Sequence, residues 1–123
     1  MANTVEVPFL NPQTLMGRVG QEFTASSQVG IRHTGRPHRF QGSVWSKENR
    51  CERGRNIVIK KVRSGTDRTV ARTTTNGRGQ YFAKHNQGGA GRYYAVALGQ
   101  TFVRDLDEIT CTRAQSVTKR FGK

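Results

Sequence analysis

A chain of 123 residues with 21 Lys and Arg against 8 Asp and Glu, a formal charge of +13, has room for one domain and favours acidic partners. It holds no uninterrupted run of five basic residues, so a charged nucleic-acid-binding tail is not indicated, and no segment approaches the ~20 apolar residues of a membrane helix. Fourteen Gly against 3 Pro, with frequent Thr and Val, favour strands and tight turns over helices.

The opening MANTVEVPFLNPQTLMG lacks the charged start, apolar stretch and small-residue cleavage site of a signal peptide. The expectation is a chain made in the cytoplasm, with no membrane partner. Residues 1–39 read differently from the rest. VEVPFL, NPQTL and ASSQVGIRHTGRPHRF are short apolar patches separated by Pro, Gly, Ser and Asn, without a sustained period. Alone, such a segment cannot bury enough to offset its ordering entropy. It is either a spacer or an extended arm that orders against a partner. Val5, Val7, Phe9, Leu10, Leu15, Met16 and Phe23 are more apolar anchors than a spacer needs, which favours the arm. Arg18, Arg32, Arg36 and Arg39 would meet carboxylates beside them.

From residue 40 the pattern becomes short strands and turns, so residues 40–123 are expected to form the folded domain. FQGSVWS reads as a first strand and RNIVIKKV as a second, with Ile57 and Ile59 on one face and Lys60 on the other. SGTD is a turn and RTVARTT a third strand. In TNGRG the Asn76-Gly77 pair is a strong hairpin signal, because both residues tolerate positive φ. QYFAKH is a fourth strand, NQGGAG a glycine loop, and RYYAVAL a fifth strand, with Tyr93, Ala95 and Ala97 on one face and Tyr94, Val96 and Leu98 on the other. Residues 99–110 are less regular, and AQSVTKRF is a last strand. Turns every 8 to 12 residues and no helical stripe predict an all-β antiparallel sandwich or small barrel.

Cys51 precedes the second strand and Cys111 the last. In a sandwich the two could be neighbours and bridge, or they could be buried free thiols, as the cytosol favours. The sequence pattern leaves both open.

Four runs carry a resemblance: C-x-x-G-R-x-I-V-I at 51–59, T-x-x-N-G-R-G-Q-Y at 73–81, G-R-Y-Y-A-V-A at 91–97 and C-x-x-A-x-S-V at 111–117. In order and spacing they resemble the immunoglobulin-like, carboxypeptidase-regulatory-like β-sandwich of actinobacterial extracellular proteins and of the virions of their phages. The likeness spans residues 41–119. It implies an immunoglobulin-like antiparallel β-sandwich, here preceded by the N-terminal arm, and a bridge between Cys51 and Cys111. Bacterial copies usually follow a signal peptide and often sit in large or repeated architectures; a single domain with an arm suits a virion protein better.

No constellation for catalysis is present. His33, His38 and His85 lack H-x-E, H-E-x-x-H or C-x-x-C spacing, and His33 and His38 read as solvated or interface residues. No serine stands in a G-x-S-x-G setting, and GRGQY and GGAGR lack the G-K-[ST] of a phosphate loop. Asp105, Asp107 and Glu108 could offer oxygens to calcium, but their spacing departs from a known calcium loop and a solvated loop accounts for them. No cofactor or metal is implied.

Seventeen of the 21 basic residues follow position 40, among them Arg50, Arg53 and Arg55, and Lys60, Lys61, Arg63, Arg68 and Arg72 suggest a basic surface around the second and third strands. With Tyr81, Phe82, Tyr93 and Tyr94 they raise the alternative of a nucleic-acid binder, although aromatics at alternating strand positions more often fill a core. The reading that follows is a non-enzymatic phage virion structural protein. Its specific form is a capsid decoration or cement protein, binding the major capsid lattice or other virion proteins through arm and basic surface, with possible self-association on the virion. Nucleic-acid binding and a secreted bacterial adhesion module are the alternatives.

Overall fold

The computed structural model describes residues 20–35, 38–84 and 90–121. Among them the regular secondary structure is almost entirely strand, and no helix is long and apolar enough to cross a membrane. The described residues fall into two compact units, a larger one within Ala25–Gln100 and Cys111–Lys123, and a smaller one of residues 20–24 and Thr101–Thr110.

The larger unit is an antiparallel β-sandwich. Its first sheet is built on β4 (His38–Ser46), nine residues long. On one side of β4 lie β2 (Ser27–Val29) and then β3 (Arg32–Gly35); on the other lies β7 (Gln80–Lys84). The second sheet has β8 (Gly91–Ala97) at its centre, with β5 (Asn56–Lys61) and then β6 (Arg68–Thr74) on one side. On the other side of β8 run β11 (Ala114–Gln115) and β12 (Lys119–Phe121). Strand alternation explains why these segments pair as they do. Phe40 and Val44 from β4, with Tyr81 and Ala83 from β7, point inward to meet Ile57 and Ile59 from β5 and Tyr93, Ala95 and Ala97 from β8. The Phe40 and Tyr93 ring centroids lie 5.0 Å apart, and Phe121 joins them. Each such large side chain taken from water contributes about 1.5–3 kcal/mol. Close packing is sharpest at Gly42, where a Cβ would collide with the Gly30 carbonyl and the Tyr81 ring. The Tyr81 hydroxyl fills that contact by donating to Gly30 O at 2.6 Å.

The smaller unit is a three-stranded sheet in which β10 (Asp107–Cys111) lies between β1 (Glu22–Ala25) and β9 (Gln100–Arg104). Asp105 takes φ 57° in the β9–β10 turn, a left-handed conformation that Asp tolerates better than most residues. The stretch at 99–110, read as less regular, therefore forms a regular hairpin.

Three expectations need correction. The boundary at residues 39/40 does not hold, because β2 and β3 are strands of the sandwich itself and Ile31 is a core residue. Of the expected arm, Val5, Val7, Phe9, Leu10, Leu15, Met16, Arg18 and Arg36 lie outside the described residues. Second, Asn76-Gly77 does not make a hairpin. The turn carries the chain from β6 in one sheet to β7 in the other, and the positive φ of 77° falls on Gly79. Asn76 shapes it as a cap, its Oδ1 accepting from the N–H groups of Arg78 and Gln80. Third, His33, read as a solvated or interface residue, is half-buried against Phe40 and Phe121 (ring centroids 5.1 and 5.6 Å), so the solvated half of that expectation does not hold. His85 lies outside the described residues.

Candidate functional site

Three places in the larger unit concentrate chemistry: a closed polar corner, the far face of the β8 sheet and the outward face of the β4 sheet.

The corner is formed where a short 3-10 turn, Asn49–Cys51, leads into β5. Cys51 is bonded to Cys111, which closes a loop across 60 residues. Arg55, four residues on, is fully buried at 0% exposure. Its guanidinium has five N–H donors and all are taken. Nη1 donates to Cys51 O (2.8 Å) and Ser27 Oγ (2.9 Å), Nη2 to Leu98 O and Thr112 O (3.0 Å each), and Nε to Leu98 O (3.2 Å). Desolvation lowers its pKa from the ordinary arginine value. No carboxylate is among its partners; backbone carbonyls and one hydroxyl do the solvating. Arg55 therefore straps the carbonyl of one bridged cysteine to that of the residue after the other. The sequence reading counted Arg55 only among the basic residues that follow position 40 and gave it no internal role.

On the second sheet, strand register puts Arg72, Val58 and Val96 in one row on the face away from the core, with Lys60 and Tyr94 in the next. The predicted basic strip is split. Lys60 and Arg72 share this face, whereas Lys61 and Arg68 pair on the core side at the sheet's end, Lys61 Nζ lying 5.8 Å from the Tyr93 ring centroid. Arg63 follows the strand end, where its N–H donates to Asp67 Oδ1. Val58, Val96 and Tyr94 are buried, so the middle of this face is covered. The Tyr94 hydroxyl donates to Asp67 Oδ2 at 2.6 Å, which raises the Tyr94 pKa and, with the Arg63 N–H, holds the Asp67 carboxyl below its ordinary value. What stays exposed is a basic margin: Arg63, Arg68, Arg72, Arg92, Arg113 and Arg120.

The outward face of the first sheet is open. Along β4 the alternation that sends Phe40 and Val44 inward sends Arg39, Gln41, Ser43 and Trp45 outward. Register sets Arg32 and Phe82 on either side of Gln41, Lys84 beside Arg39 and Gln28 beside Trp45. Trp45 is 55% exposed and Phe82 45%. The Arg39 guanidinium carbon sits 5.0 Å from the Phe82 ring centroid, and Arg39 Nε is buried with no hydrogen-bond partner among the described residues. A cavity of about 300 Å³ adjoins this face, with Arg32 and Lys119 as its charged lining.

Arg32 and Arg39, assigned to the arm, thus belong to a sheet face; Phe23, the remaining described anchor, is 46% exposed on β1. Of the four aromatics considered for nucleic acid, Tyr81, Tyr93 and Tyr94 are buried and Phe82 alone is open. Trp45 was missed as a site residue, though the inward spacing of Phe40 and Val44 already directs it outward. The acidic residues Asp105, Asp107 and Glu108 belong to the β9–β10 hairpin, where Asp107 Oδ1 accepts from the Gln21 N–H. Among the described residues no group of three or more His, Cys, Asp or Glu could hold a metal ion.

No family model, curated protein or solved structure matches the chain.

Proposed function

We propose that this protein is a non-enzymatic structural component of a bacteriophage virion, an immunoglobulin-like module that docks on an acidic protein lattice as a decoration or cement protein. The observation that carries the reading is the exposed basic margin of the β8 sheet, mounted on a sandwich closed by a disulfide. A bridge suits a protein that works outside a reducing cytosol. Six arginines around one sheet margin, in a chain of charge +13, attract a repeated acidic surface, and repetition lets weak contacts add. The sequence motifs at 51–59, 73–81, 91–97 and 111–117 support the same reading through their resemblance to virion modules. Residues 1–19, with their apolar anchors, remain the part of the arm that would engage a neighbour.

Two measurements test it. Mass spectrometry of purified phage particles from the source strain is expected to find the chain in the particle fraction with Cys51 and Cys111 bridged. Its recovery only as free protein in the medium sinks the virion reading in favour of a secreted adhesion module. With particles in hand, the triple variant Arg72→Glu, Arg92→Glu and Arg120→Glu is expected to lose co-sedimentation, and added salt to weaken the unmodified protein's binding.

A further inference from the structure

We infer that the outward face of the β2/β3–β4–β7 sheet is a platform for single-stranded nucleic acid, on which Trp45 and Phe82 stack bases while Arg32, Arg39 and Lys84 meet phosphates. The inference goes beyond the virion reading and does not rest on it, since the basic margin that supports that reading belongs to the other sheet.

Three observations carry it. Both rings are about half exposed on one side of one sheet. By register they stand four residues apart along β4 and one strand apart across it, roughly 13 Å by about 4.8 Å. The residues between them, Gln41 and Ser43 on β4 and Gln80 on β7, are uncharged hydrogen-bonding groups that suit base edges. Second, the face carries cations and no carboxylate among its described strand residues, whereas Asp67 sits amid the cations of the β8 sheet. Third, Arg39 is already laid over the Phe82 ring, with its buried Nε lacking an acceptor among the described residues. Phosphate oxygens arriving beside that guanidinium meet its positive charge.

The choice among anionic ligands follows from what each can cover. An acidic peptide offers carboxylates to Arg32 and Lys84 and leaves both rings in water. A duplex offers phosphates and keeps its base faces stacked inside. A single strand presents unstacked bases and phosphates together, which is the pairing of groups found here.

Trp45 is the only tryptophan of the chain, so its fluorescence reports directly on this face. The full chain is to be titrated with an oligothymidylate, a DNA duplex of equal length and polyglutamate. Quenching by the oligothymidylate is expected, with an affinity that falls steeply with salt and is at least ~10-fold above that for duplex and polyglutamate. Phe82→Ala is expected to weaken single-strand binding about 5- to 150-fold while polyglutamate binding stays unchanged. An unaltered thermal melt establishes that this variant is folded. Arg32→Glu, an exposed change that leaves both rings in place, is an independent second variant and is expected to weaken the same binding at least ~10-fold. Equal affinity for polyglutamate overturns the inference and makes the face a protein contact. Equal affinity for duplex, no quenching at low salt, or unchanged binding in both variants also overturns it.

Discussion

At the start of β5, Arg55 is enclosed by four backbone carbonyls and a hydroxyl, and every N–H it owns is spent inside the protein. On the open side of β4, Arg39 lies over the Phe82 ring, its buried Nε without an acceptor among the described residues. The two arginines share a chemistry and differ in what is left over. A guanidinium whose fork is filled by fixed carbonyls has become a rigid internal connector, because its planar geometry satisfies several acceptors at once. A guanidinium laid on an exposed ring keeps its charge for something outside the chain. The first region holds the fold together; the second is available for recognition.

The contrast breaks most visibly at Arg55. Arg55→Leu removes the donors of Cys51 O, Leu98 O and Thr112 O in a buried corner, at about 1–3 kcal/mol for each carbonyl left bare. The sum rivals the whole stability of a small domain, so the variant is expected to be largely unfolded by circular dichroism. Arg55→Lys is expected to rescue little, since an ammonium cannot reproduce the fork. The second effect in size is at the neighbouring bridge. Replacing Cys51 and Cys111 by Ala removes a 60-residue cross-link worth on the order of 4 kcal/mol in the chain-entropy account. The denaturant midpoint is expected to fall accordingly, and an unchanged midpoint would show that Arg55 alone closes the corner.

How much of this could be read from the sequence depends on what each residue's neighbours reveal. Strands β4 to β8 were legible because large apolar residues alternate in them: Phe40 with Val44, Ile57 with Ile59, Tyr93 with Ala95. Strands β2 and β3 were not, although Val29, Ile31 and His33 do alternate. Gly30 interrupts them, and histidine does not register as an inward residue until Phe40 and Phe121 are seen against it. The Asn76-Gly77 signal correctly marked a turn, but turn residues say nothing of which sheet the chain enters next. Arg55 was unreadable for a different reason. Its partners are carbonyls distant in sequence, which leave no trace in residue types. The open face was half legible, in that strand alternation sends Trp45 outward, yet its alignment with Arg32 and Phe82 exists only through register.

A third, smaller effect sharpens the interior side of the comparison. The Tyr81 hydroxyl donates to Gly30 O, and burial raises its pKa well above the ordinary 10.0. Because the folded value is the higher one, the stabilisation from keeping this proton is complete below pH 10 and declines as pH rises above it, where the unfolded chain ionises first. Tyr81→Phe is expected to lose about 1–2 kcal/mol at neutral pH and to flatten the alkaline decline, as read from denaturant midpoints across pH. On the open face the corresponding change is slight. Arg39→Ala is expected to alter stability by no more than about 1 kcal/mol, the size of an exposed cation–π contact. A loss as large as that at Arg55 would place Arg39 among the connectors and remove the contrast.

The smallest effect concerns the β8 sheet, where Tyr94 and Asp67 stand between the two cases. The tyrosine is buried at 9% exposure, while the carboxylate it serves lies among the cations Lys60 and Arg92. The hydrogen bond from Tyr94 is the first cause of the low Asp67 pKa. A depressed folded pKa contributes stability at pH above the ordinary 3.8 and loses it as pH falls below that value, since the unfolded chain takes up the proton first. Tyr94→Phe is therefore expected to move the Asp67 titration upward, towards 3.8, and to weaken the acid dependence of stability, while Trp45 fluorescence stays as it was. Carboxyl-carbon NMR across pH 2 to 6 reads the shift directly. An Asp67 titration that stayed put would mean that the neighbouring cations, not the tyrosine, hold the carboxylate ionised, and the far face would then count as an electrostatic surface throughout.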